Sequence, residues 1–148
     1  MGVTISNHKH SIDMGCGGFL RLRTTISKLV TCKEFVDIYD ELMSGSYREW
    51  EIRGFNSSEE YFDDYDKRAI EICERNKIDE EIVTFLYASD CGGYSFSAKT
   101  CRHLWKLIKD YDDDVVYGYV GRPDRAMFKD FKKIVETSAK ERRVMRIS

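Results

Sequence analysis

The chain has 148 residues, 24 of them basic and 26 acidic, for a formal net charge of −2. With 42% hydrophobic and 34% charged residues it reads as one globular domain, 1–148, and not as a disordered chain. No apolar run reaches the roughly 18 residues a membrane-spanning helix needs. The opening MGVTISNHKHSID lacks a signal peptide's apolar stretch, so a cytoplasmic protein is expected.

The expected class is mainly α (α+β), about six helices with one or two short strands. GVTIS is β-branched and reads as a short strand. MGCGG breaks the chain, and Phe19, Leu22, Ile26, Leu29 and Val30 then follow a helical period. Thr31 and Glu34 have the spacing of a capping box that opens a second helix through Phe35, Ile38, Tyr39 and Leu42. Residues 44–58 read as an excursion held down by Trp50 and Phe55. Ser57 and Glu60 cap the longest helix, to about Asn76, with Tyr61, Tyr65, Ala69, Ile72 and Cys73 inward. Asp79 caps a short helix carrying Ile82, Phe85 and Leu86. Ser97 starts a helix with Cys101, Leu104, Trp105 and Ile108 inward. VVYGYV is the best strand candidate, with GVTIS as its expected partner. Pro123 suits the start of a last helix whose core face is Met127, Phe128, Phe131, Ile134 and Val135, and the tail ERRVMRIS is expected to fray.

The small net charge conceals a strong division. Residues 1–33 sum to +4, 34–121 to −11 and 122–148 to +5. The acids cluster as EEYFDDYD (59–66), DEE (79–81) and DYDDD (110–114). Acids at helix starts and bases at helix ends complement the helix dipole, the simplest reading of such a division. An acidic surface set out to meet a basic partner is the functional one. The candidate contact residues are Glu59, Glu60, Asp63, Asp64, Asp66, Asp112, Asp113, Asp114 and Trp50. Tyr47, Phe55 and Tyr94, off the helical spacing, are further aromatic candidates.

Gly15, Gly17 and Gly18 ahead of a helix suggest a small-anion cradle, with Arg21 and Arg23 supplying charge. The loop lacks the P-loop lysine, and a tight helix-starting turn explains it more simply. The five cysteines form no CxxC pair, and an intracellular chain keeps them reduced. Cys91, Cys101 and His103 lack the spacing of a structural zinc site, as do His8 and His10, so no metal and no cofactor is expected. Counted from Asp90, an EF-hand would need ligands where Gly92, Tyr94 and Cys101 stand. Gly118 to Gly121 spells a GxxG loop, but a strand-like run precedes it where the RNA-binding module has a helix. No carboxylate pair is marked out for acid–base work, so the chain is not expected to be an enzyme.

At GVTIS, SIDMGCGGFLRLR, SDCGG and IKDYDDDVVYGYVGRPDRAMFKDFKKIV the chain resembles small uncharacterised proteins of phages and mobile elements of Gram-positive bacteria. The resemblance covers both ends and residues 85–135, and carries over no catalytic residue. It implies a setting in which small proteins bind and inhibit a host defence or regulatory protein. The leading expectation is therefore an inhibitor that mimics nucleic acid through an acidic, aromatic surface and occupies a basic groove on its host target. A nucleotide-signal sponge using the MGCGG turn is the first alternative. Direct nucleic-acid binding through the basic 122–146 helix is the second.

Overall fold

The computed structural model describes residues 2–88, 93–119 and 126–148. Its elements run β1 (Gly2–Ser6), β2 (Ser11–Gly15), α1 (Cys16–Leu29), α2 (Lys33–Ser44), α3 (Glu49–Ile52), α4 (Ser58–Arg75), α5 (Glu80–Leu86), β3 (Tyr94–Phe96), α6 (Ala98–Ile108), α7 (Phe128–Glu141) and β4 (Met145–Ile147). The fold is mainly helical α+β, with seven helices and one four-stranded antiparallel sheet among the described residues. The chain forms two compact units, one from residues 1–29 and 79–148, the other from 30–78.

In the first unit the sheet order is β2-β1-β4-β3. β1 pairs with β2 from Gly2↔Gly15 to Ser6↔Ser11, and β4 joins its other edge at Ile5↔Ile147. Alternation places Val3, Ile5, Met14, Phe96, Met145 and Ile147 in the core. Phe85 of α5 sits at the centre, with ring centroids 5.4 Å from Phe96, 5.8 Å from Phe131 and 6.4 Å from Phe19. The hairpin turn is fixed by Asn7, whose Oδ1 accepts the amides of Lys9 and His10 at 2.9 and 2.8 Å. The Asn7 amide nitrogen donates to Ile134 O at 3.1 Å and Ser138 Oγ at 3.0 Å, pinning the hairpin to α7.

In the second unit α2 and α3 pack on α4. Tyr65 donates its hydroxyl to Ile38 O at 2.6 Å, and Tyr61 to Glu41 Oε1 at 3.1 Å. Glu41 also takes both arms of Arg68 at 2.8 Å each, which holds its carboxyl below the usual carboxylate range.

Several expectations hold and several are corrected. Ser57, Asp79 and Ser97 cap α4, α5 and α6 as expected, through the amides of Glu60, Glu81 and Thr100. Thr31 does not cap α2: Cys32 occupies that position, and Glu34 reaches Arg75 and Asn76 at 2.8 Å instead. Thr31 lies at φ 56°, in the left-handed region that disfavours a β-branched residue. The switch from strand to helix falls inside MGCGG, and α1 begins at Cys16, earlier than the expected Phe19. Among the described residues VVYGYV contributes an isolated bridge, Val116 to Met127, and the partners of GVTIS are β2 and β4. The tail does not fray: Met145 and Ile147 are buried in an inner strand of the sheet. Pro123, Arg122, Asp90, Cys91 and Gly121 lie outside the described residues.

Candidate functional site

The second unit carries the denser acidic surface. Residues 30–78 hold 13 acids against 7 bases. Along α4, Glu59, Phe62, Asp63, Asp66 and Ile70 fall within an arc of about 100° of the helix circumference. All five are exposed, Phe62 by 49% and Ile70 by 58% of its surface. The opposite side of α4 carries the buried Tyr61 and Tyr65. Glu59, Asp63 and Asp66 form no ion pair among the described residues, so the stripe presents bare carboxylates between two apolar side chains.

The other acidic candidates are arranged differently. Asp64 is bound at 2.8 Å by Arg68, and the Glu60 carboxylate accepts the Asn56 amide at 3.1 Å. Both acids are thus partly spent on α4 itself. Trp50 is half-buried on α3, and Phe55, after that helix, is half-buried with its ring centroid 5.6 Å from that of Tyr61. Tyr47 is 90% exposed. Phe62 and Ile70 were not among the sequence candidates. Their signal was present, since they are the apolar residues of α4 that fall outside the Tyr61–Tyr65–Ala69–Ile72 stripe.

In the first unit, Asp112 and Asp114 are exposed, whereas Asp113 is an internal anchor. Its Oδ2 accepts the hydroxyls of Tyr111 and Tyr117 at 2.8 and 2.7 Å, and its Oδ1 the Val115 amide at 3.0 Å. Burial first, and then this carboxylate, push the Tyr111 hydroxyl up to about 12, and Tyr117 is raised by the same causes. Asp113→Ala is expected to destabilise by about 2 kcal/mol, because two tyrosine hydroxyls lose their acceptor. Urea unfolding reads the loss, and absorbance titration should show Tyr111 ionising closer to its ordinary 10.0. The folded state favours the protonated phenol, so this contribution is complete below pH 10 and declines as pH rises toward 12.

The glycine turn joins β2 to α1. Gly15 ends β2, and Gly17 and Gly18 form the first turn of α1. A side chain on Gly18 would meet Tyr117 O at 2.0 Å, so this glycine serves close backbone packing. Arg23 is buried, its guanidinium 4.3 Å from the centre of the Phe19 ring and its Nη1 donating to Leu86 O at 3.3 Å. Arg21 is exposed and donates to Val116 O at 3.3 Å.

Cys101 is buried, its thiol pushed up to about 11 by desolvation. His103 Nδ1 instead meets Asp79 Oδ2 at 2.6 Å. No group of three or more histidine, cysteine, aspartate or glutamate side chains is placed to hold a metal among the described residues. None of the described helices is long and apolar enough to cross a membrane. Comparison with protein-family models, curated proteins and solved structures gives no match.

Proposed function

We propose that this chain is a non-catalytic accessory protein of a phage or mobile element that binds and inhibits a host defence or nucleic-acid-processing protein. The observation that carries this reading is the outward stripe of α4, with Glu59, Asp63 and Asp66 in no ion pair among the described residues and Phe62 and Ile70 exposed on the same stripe. Spaced carboxylates compete for the lysine- and arginine-lined channels that hold phosphates, and they steer association by long-range attraction. Apolar side chains within the stripe supply the desolvated anchors that charge alone lacks. Asp112 and Asp114 are exposed acids of the first unit.

The test uses the intact chain as bait in lysate, beside a Glu59→Lys/Asp63→Lys/Asp66→Lys variant and a Phe62→Ala/Ile70→Ala variant. The native chain should retain a basic nucleic-acid-processing protein that salt elutes, and both variants should lose it. Equal retention by all three baits contradicts the reading. Asp64 and Asp113 are left intact, because their loss would disturb folding as well as binding.

A further inference from the structure

The first unit carries a second charged surface, of opposite sign, and it begins where α7 ends. Arg142 adopts a left-handed conformation, φ 56° and ψ 49°, and the Arg143 amide reaches back to Ser138 O at 3.0 Å. This is the turn that glycine ordinarily closes, so an arginine is held there against local preference. The chain then enters β4, where Arg146 alternates with the buried Met145 and Ile147 and faces outward between Ser6 and Ser95 of the flanking strands. Both neighbours are short side chains, which leaves the guanidinium clear. Asn7, tied to α7 as described, fixes the hairpin beside this cluster.

Arg142, Arg143 and Arg146 line a concavity of about 410 Å³ together with Asn7 and His8. A second concavity, of about 630 Å³, is bounded by Ser97, Lys99, Arg102 and again Arg142. The two therefore adjoin through one arginine. The second is also open to the start of the 11-residue α6, the positive end of its dipole. Arg102, Arg142, Arg143 and Arg146 make no side-chain ion pair among the described residues. Glu141, which precedes Arg142, is already engaged by Lys9 at 2.8 Å and His8 at 3.4 Å. Lys99 is shared with Glu81 at 3.3 Å.

We propose that this surface binds a nucleic-acid strand through its phosphates, Arg142, Arg143 and Arg146 gripping one stretch and Arg102 with Lys99 the next. Arginine forks match phosphate oxygens two at a time. Two adjoining basic concavities suit a backbone with repeated charges better than a single small anion. The chain's net charge of −2 argues that such binding would be local to this surface and not a general attraction of a polycation. The site is independent of the α4 stripe, and either can fail without the other.

Fluorescence anisotropy of a short labelled oligonucleotide, single-stranded in one arm and duplex in the other, tests the site at about 50 mM salt and upward. Saturable binding of either form is expected, with an affinity that falls steeply with salt. Arg142→Glu/Arg146→Glu and Lys99→Glu/Arg102→Glu should each weaken it about tenfold or more and lower the salt slope by about two. Arg142→Gly separates site from scaffold: it should raise Tm by about 2 °C by relieving the left-handed residue, yet weaken binding about threefold. Absence of saturable binding overturns the proposal, as does unchanged affinity in the Arg142→Glu/Arg146→Glu variant. Equal affinity for a mononucleotide or inorganic phosphate overturns the strand assignment, and so does a signal that arises only from salt-dependent self-association.

Discussion

Replacing Gly18 by alanine is expected to destabilise the first unit by about 3 kcal/mol or more. The added Cβ would stand 2.0 Å from Tyr117 O and 3.1 Å from Tyr117 C, and both are backbone atoms that no side-chain rotation can move. Either α1 lifts away from the 117 segment or that segment shifts and disturbs the Asp113–Tyr117 bond at 2.7 Å. A Cβ on Gly17, one residue earlier, would have nothing within 4 Å. Gly17→Ala should therefore be neutral or stabilising by up to about 1 kcal/mol, from helix propensity alone. Urea unfolding followed by far-UV circular dichroism distinguishes the two. Equal effects would show that the contact between α1 and the Tyr117 backbone is not as close as described.

Arg23→Met should cost about 3 kcal/mol. Arg23 is only 4% exposed, its guanidinium lies 4.3 Å from the centre of the Phe19 ring, and it donates through Nη1 to the carbonyls of Leu86 and Ala88. Those carbonyls close the end of α5, where the helix runs out of its own donors. Methionine retains much of the volume but offers no donor, so the loss reads the hydrogen bonds more than the packing. Arg23→Lys restores a charge without the flat face over Phe19 and should recover part of the stability. A neutral Arg23→Met would mean that the carbonyls find other partners and that the buried charge is dispensable. The Nε of Arg23 has no hydrogen-bond partner among the described residues.

These two residues also show where sequence reasoning stops. Gly18 and Arg23 look like parts of an anion cradle because they flank a glycine turn and a helix start. Their actual partners, Tyr117 and Leu86, are distant in sequence. The helices were legible because their apolar period is local: Phe35, Ile38 and Tyr39 in α2, or Phe128, Phe131, Ile134 and Val135 in α7, are buried as the spacing requires. Strand β4 was not legible, since Met145–Ile147 offers three residues of alternation inside a basic tail. VVYGYV has the right composition for a strand, but Asp113 and the close approach of Gly118 to Ala126 hold residues 115–119 in an irregular path. At the candidate site, the acids of α4 were legible as a charge cluster. Which of them stand free was not, because Arg68 claims Asp64 and leaves Asp63 and Asp66 bare.

The charge, +4, −11 and +5 along the sequence, is divided between the folded units. Residues 30–78 carry a net −6, which leaves +4 for the remainder. The acidic unit offers the α4 stripe and the basic unit offers the arginine-lined concavities.

The most direct measurement is a binding isotherm between the chain and the basic protein it captures, with the native chain and the Glu59→Lys/Asp63→Lys/Asp66→Lys variant run in parallel at low and physiological salt. The native chain should bind saturably, weaken with salt and be displaced by DNA that fills the same groove, while the variant binds at least about tenfold more weakly. Equal affinities for the two chains, unaffected by salt or by competing DNA, would contradict the acidic face of α4 as the binding surface.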